Sequence, residues 1–226
     1  MISTSPSSSR ASPLPPDERR AALIASTLAL ILAEGPDVST RQIAQAAGVA
    51  EGTIFRVFAT KDELVKAAII SAIDSTPLIR DLTAVDRTAP LRARLVAAVE
   101  ILQHHTTHVF RLVDALGAEG VTRIAREGRA ERGEEDCDPH AAIRQAIVNL
   151  IVPDRDLLRC TAPEAARRLQ LLTVAGSHPK LVEDDPLPPA EIVSMLLDGI
   201  RRRHDDDHLL PPETPDHETP RGDPQC

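Results

Sequence analysis

Apolar and polar positions set the reading of residues 17 to 66. In RRAALIASTLALILAEG (19–35), Ile24, Leu28, Ile31 and Leu32 recur at i, i+4, i+7 and i+8. That spacing predicts an amphipathic helix, capped by Asp17, stopped at Gly35 and followed by Pro36. Two arginines ahead of a mostly apolar run also resemble the make-up of a secretory or twin-arginine signal. The run is too short to span a bilayer, and the motif that follows Gly35 favours a buried helix. Ser39 and Gln42 have capping-box spacing, with Val38 and Ile43 at the staple positions around them. A second helix is therefore expected from about residue 40 to Ala47, where Gly48 can take the positive φ of a sharp turn. A third is expected from about Glu51 to Phe58, with Ile54 and Phe58 facing Ile43, Ala47 and Val49. Two short helices around a glycine turn make a helix-turn-helix. Thr60 and Glu63 form a further capping box that opens a long helix at Lys61.

The pattern from 67 to 203 is again helical. APLRARLVAAVEILQ and THVFRLVDALGAEG are amphipathic, and PHAAIRQAIVNLIV follows an acidic, glycine-containing loop at 128–138. APEAARRLQLLTVAG places Ala165, Leu169, Leu172 and Gly176 on one stripe. PAEIVSMLLDGI places Ile192, Leu196 and Ile200 on another, with Val193 and Leu197 beside it. These stripes fit either partner helices or the chain's own core.

Composition narrows the fold. With no Trp, no Tyr and three Phe among 226 residues, the core is built from Ala, Leu, Ile and Val, and an all-α fold is expected. Residues 1–16 and 204–226, rich in Ser, Pro and acidic groups, read as disordered tails. The net charge of −8 is uneven: residues 1–66 hold seven basic and seven acidic residues, and the segment from 204 onward holds one Arg against seven acids. The acidity thus lies largely away from the helix-turn-helix and does not exclude a polyanionic partner.

The stretch ILAEGPDVSTRQIAQAAGVAEGTIFRVFATKDEL resembles the DNA-binding region of the TetR family of bacterial transcriptional regulators. The likeness covers about residues 18–66 and rests on the order Gly, Ser/Thr cap, Ile-Ala, Ala-Gly-Val, Gly-Thr-Ile-aromatic, Phe and Lys-acid-acid-Leu. It implies a helix-turn-helix DNA-binding domain at 17–66 and a helical effector-binding and dimerisation domain at 67–203. It also implies a homodimer on a palindromic double-stranded DNA operator, most simply a repressor released by a small-molecule effector. By resemblance, Ser39, Thr40 and Arg41, then Thr53 and Phe55, then Lys61 stand at DNA-contacting positions; Glu51, Gly52 and Arg56 complete the expected DNA-facing set. Helix N-termini offer free N–H groups to phosphates, and Lys or Arg neutralises them with counterion release. Three positions depart from the family pattern. Ala50 replaces the usual Ser cap and Phe55 the usual Tyr, while Glu51 reads either as a helix-dipole partner or as an acceptor for cytosine N4.

The resemblance further implies that Ala165, Leu169, Leu172, Ile192, Val193, Leu196 and Ile200 form a dimer interface through a four-helix bundle. Helices between about 85 and 175 would enclose an effector pocket, to which His104, His105 and His108 are candidate contributors. These histidines, and HDDDH at 204–208, also have i, i+4 metal-ligand spacing, although surface or core roles are commoner. No metal or other cofactor is expected. Cys137, Cys160 and Cys226 show neither a zinc pattern nor a disulfide framework, which fits a reducing cytoplasm. Cys137 and Cys160 would form a redox pair only if folding joined them. There is no phosphate-binding glycine loop or nucleophile elbow, so an enzyme is not expected. The other reading is a helix-turn-helix that engages a protein partner without sequence-specific DNA binding.

Overall fold

The computed structural model describes residues 15–133, 138–182 and 185–200. Both expected tails apart from Pro15 and Pro16, the HDDDH run, Cys137 and Cys226 lie outside the described residues. Ten α-helices and one 3₁₀ turn make up the described chain.

Helix α1 (Pro16–Glu34) begins on proline, whose missing N–H costs nothing at a first turn, so Asp17 sits inside that turn and does not cap it. Gly35, at φ 90°, closes the helix by donating its N–H to the Ile31 carbonyl. The fully buried line is Leu23, Thr27 and Ile31, while Ile24, Leu28 and Leu32 flank it half-buried. The expected face is therefore rotated by one residue. Thr27 can occupy the centre because its hydroxyl donates to the Leu23 carbonyl at 2.7 Å and needs no other partner.

Helix α2 (Thr40–Ala46) carries the full Ser39–Gln42 capping box, and Gly48 turns the chain at φ 66°. Helix α3 is only Glu51–Ile54, shorter than the expected span to Phe58. Ala50 supplies no side-chain cap, and the chain from Phe55 to Phe58 continues in tighter turns. Helix α4 (Lys61–Ile73) starts at Thr60, whose hydroxyl accepts from the Glu63 N–H. The box expected there is displaced, because the Glu63 carboxylate accepts from the N–H of Ala59 at 2.9 Å and not from that of Thr60.

Helix α5 spans Thr76–Ala84. The two amphipathic stretches from 89 to 120 form one long helix, α6 (Leu91–Leu116), since nothing between them breaks the helical pattern. Gly117 (φ 75°) separates it from α7 (Ala118–Arg132). The expected loop at 128–138 is thus helical as far as Arg132. Helix α8 (Pro139–Ile151) leads through the 3₁₀ turn Val152–Leu157 to α9 (Ala162–Ser177) and α10 (Pro189–Ile200).

Two cores result. The body core joins α5, α6, α8, α9 and α10 around residues such as Leu95, Val99, Ile147, Leu169 and Leu196. The head core joins Leu23, Ile31, Ile43, Ile54, Phe58 and Leu64, and it also takes in Leu112 and Val121 from α6 and α7. Helix α4 runs through the boundary expected at 66 and packs on α1, α6 and α7. Head and body therefore share a wall, where Gly128 of α7 lies so close to Ile70 of α4 that an added Cβ would meet its side chain at 2.8 Å.

Ala165, Leu169, Ile192, Val193, Leu196 and Ile200 are buried within the single chain, and Leu172 packs half-buried against the same core. The expectation that these side chains form the dimer interface is corrected: they are already occupied by the chain's own packing. Gly176 lets α9 approach this core, with Ile192 and Leu187 filling the space a Cβ would take. The large apolar side chains that these helices leave outside are Leu171, Val174 and Met195.

Candidate functional site

Three helices start within the helix-turn-helix region. Ser39 precedes α2, Ala50 precedes α3 and Thr60 precedes α4. Ile43, Ile54 and Phe58 turn inward and are essentially fully buried, which fixes the outward direction of the residues between them. Arg20 of α1 lies over the Phe58 ring, 4.8 Å from its centroid, and closes that core from the side.

The expected DNA-facing residues fall on the accessible side. Ser39, Arg41, Glu51, Gly52, Phe55 and Arg56 are exposed, and Thr40, Thr53 and Lys61 are half-buried. Phe55 is 53% exposed, so its ring is not part of the head core. Among the described residues, Arg41, Arg56 and Lys61 enter no ion pair. The two hydroxyls are different. Ser39 donates to Gln42 Oε1 at 2.6 Å, inside the capping box, and Gln42 in turn donates to Glu34 at 2.6 Å. Thr40 donates to the Glu51 carboxylate, which ties the start of α3 to the start of α2. Glu51 thus has an intramolecular role that neither the helix-dipole nor the cytosine reading anticipated. A Thr and a Glu eleven residues apart across a turn give no local spacing signal by which sequence could pair them.

Two neighbouring cavities of the body share lining residues. One of about 420 Å³ lies among α4, α5, α6, α7 and α8, with Ile70, Ile73 and Val121 on its apolar side and Asp74, His105, Arg129 and His140 among its polar groups. A second of about 270 Å³, reached by Leu102, Phe110 and Val174, shares His105, Val109, His140 and Ile143 with the first. Of the three candidate histidines, His105 alone reaches these two cavities. Burial holds its imidazole below the ordinary histidine value, with a smaller contribution from His108. His104 and His108 stack with ring centroids 4.6 Å apart and face a separate groove that also contains Asp81 and Glu100. Among the described residues no three His, Cys, Asp or Glu side chains gather in a metal-binding group. Arg129, Phe110 and His140 escaped the sequence reading because their helical spacing looks like ordinary amphipathic patterning; only the packing of three helices brings them together.

Between head and body, Lys66 of α4 bridges Glu131 at 2.6 Å and Glu127 at 3.2 Å on α7. Its hydrogen bonds to these carboxylates raise the ammonium above its usual value, Glu131 first. No helix among the described residues is long and apolar enough to cross a membrane.

Residues 23–68 match the family model for bacterial regulatory proteins of the tetR family. The whole described fold is also shared. A TetR-family regulator from Mesorhizobium loti superposes with a TM-score of 0.59 at 16% identity, covering 84% of this chain and 100% of the other. A transcriptional regulator from Pseudomonas aeruginosa gives 0.54 at 24% identity, with 84% and 94% covered. A TetR regulator from Streptomyces coelicolor gives 0.51 at 22% identity, with 80% and 98% covered. At these identities the structures establish the fold, and the family match is confined to the head: residues 23–68 resemble bacterial regulatory proteins of the tetR family, and the helical body behind them has the fold of these regulators.

Proposed function

We propose that this chain binds an inverted-repeat operator as a homodimer, acts as a repressor and is released when a small molecule fills the body cavity. The observation that carries the reading is the outer side of the helix-turn-helix. There Arg41, Arg56 and Lys61 are without ion-pair partners among the described residues, and Phe55 lies open beside them. Three cations per head, doubled in a dimer, give about six phosphate contacts, enough for binding with a steep salt dependence. Phosphate contacts position the head, and the residues of the recognition helix, Glu51 to Arg56, are left to read base edges.

Dimerisation is assigned to the outward faces of α9 and α10, where Leu171, Val174 and Met195 are 45–59% exposed. A two-fold axis there sets two heads side by side and makes the operator symmetric. The route from cavity to head is α4. It begins at Lys61, on the DNA side, and brings Ile70 and Ile73 to the cavity wall. A thirteen-residue helix is about 20 Å long, so a ligand that moves the cavity end moves the DNA end of the same rigid rod.

Exposed Phe55 and acidic Glu51 favour a second reading, a head that grips a protein partner. Selection from random duplexes separates the two. The proposal expects an enriched inverted repeat with half-sites about one helical turn apart. Absence of enrichment would favour the protein partner, and enrichment of a single half-site would remove the dimer.

A further inference from the structure

On the reading that the body holds an effector, the two neighbouring cavities make different hosts. The larger carries Asp74, Arg129 and Arg132 in its lining. The smaller, of about 270 Å³, lies among α5, α6, α8 and α9, and no Asp, Glu, Lys or Arg lines it among the described residues. An ion placed there would lose its hydration without gaining a counter-charge.

The smaller cavity has apolar and ring-bearing walls. Helix α6 contributes Leu102, Val109 and Phe110, joined by Leu78 of α5, Ile143 of α8 and Val174 of α9. Phe110 is the one Phe of the three that lies outside the head. Its ring is held edge-on by His178 at the end of α9, with centroids 4.6 Å apart. Flat rings of this kind pack best against another ring.

The polar lining consists of His105, Thr106, His140, Gln170 and Thr173. The Thr173 hydroxyl is engaged by its own helix, donating to the Leu169 carbonyl at 2.8 Å. Burial holds the His105 imidazole below the ordinary histidine value, so it offers a hydrogen-bonding ring and not a charge. The Thr106 hydroxyl and the Gln170 amide take part in no hydrogen bond among the described residues. Size follows from volume. A cavity of about 150 Å³ holds benzene, so one of about 270 Å³ accommodates roughly ten non-hydrogen atoms.

We infer that the smaller cavity binds an uncharged aryl compound of this size, its ring beside Phe110 and its polar atom within reach of Gln170, Thr106 or His105. A phenol or an indole has that chemistry. The carboxylate or ammonium of a similar skeleton enters as an unpaired ion.

The test is calorimetric titration of the full chain, without DNA and at about pH 8, above the ordinary histidine value. The probes are 2-naphthol and indole against 2-naphthoate, 2-naphthylmethylamine and octanol. At least one neutral aryl probe is expected to bind about tenfold or more tighter than both ions, with octanol weaker than that probe. Thr106 lines only the smaller of the two cavities and Ala125 only the larger. Thr106→Leu should therefore weaken aryl binding about tenfold or more, and Ala125→Leu should leave it unchanged, each with its thermal transition retained. Gln170→Glu, which places a carboxylate in the lining, should turn the preference toward the amine. Equal or tighter binding of either ion or of octanol, no binding of any probe, retained binding in folded Thr106→Leu or lost binding in folded Ala125→Leu would overturn the assignment. Release is measured separately, by adding each probe to the operator complex. An aryl probe that binds without release leaves the ligand class standing and removes the effector reading; an ion that binds more tightly and releases the operator does the reverse.

Discussion

Head and body are built by opposite rules. In the head, local signals decide: a capping box at Ser39–Gln42 and a turn glycine at Gly48 place α2 almost residue by residue, and they place the start of α3, though not its end. In the body, helices are long, and which face of each is buried depends on neighbours far away in the chain. Ala165, Leu169, Ile192 and Leu196 form stripes fit for a partner, yet the body uses them for its own core. A stripe shows that a helix face is covered; it does not show by what.

The sharpest way to test this contrast is to place a charge on either side of α10. Leu196→Asp, inside the core, should cost several kcal/mol, about 3–5, and abolish the cooperative thermal transition of the body. Met195→Asp, one residue away and 49% exposed, should keep the fold and shift sedimentation from dimer to monomer. A folded monomer from Leu196→Asp would restore the inner stripe as the interface.

The next largest effect concerns the shortest helix. Ala50→Ser gives α3 the side-chain cap it lacks, and should raise the head's stability by about 1 kcal/mol, read as a higher denaturant midpoint with an unchanged slope. An unchanged midpoint would mean that the turns at Phe55–Phe58, not the missing cap, limit α3.

Glu51 comes third. With Thr40 bound to its carboxylate, Glu51 on a DNA-facing head would both repel phosphates and withhold a hydroxyl from them. Glu51→Gln removes the repulsion and weakens the hold on Thr40, so every duplex should bind about two- to fivefold tighter with base preference unchanged. Loss of discrimination at one base pair in each half-site would instead assign Glu51 to cytosine recognition.

The smallest effect belongs to His105. Its folded value lies below the ordinary histidine value because burial penalises the cation, so the unfolded chain takes up the proton first. Stability present above about pH 6.5 is therefore lost as pH falls toward the folded value. His105→Asn should flatten that part of the stability–pH curve; an equally steep fall in the variant would place its origin elsewhere.

What the sequence made legible follows the same division. The Ser39–Gln42 box, the turn at Gly48 and the buried Ile43, Ile54 and Phe58 are written in residues a few positions apart, whereas the Asp17 cap, the Thr60–Glu63 box and the length of α3 depart from what that spacing predicts. The face of α1 was displaced by one residue because a buried threonine satisfied by its own helix looks polar in sequence. The Thr40–Glu51 bond, the Gly128–Ile70 contact and the Arg129 cavity join distant segments, and helical periodicity carries no record of them. The Thr161–Glu164 capping box of α9 is the exception, a local signal as plain as that of α2.

The central claim is that Arg41, Arg56 and Lys61 hold phosphates, and the salt dependence of operator binding tests it most directly. With about six contacts per dimer, the logarithm of the binding constant should fall against the logarithm of salt concentration with a slope of about −5. Lys61→Gln removes one contact from each head and should reduce that slope by about 2, equally on operator and random duplexes. A slope near zero, or one that none of the three single glutamine substitutions changes, would contradict the account.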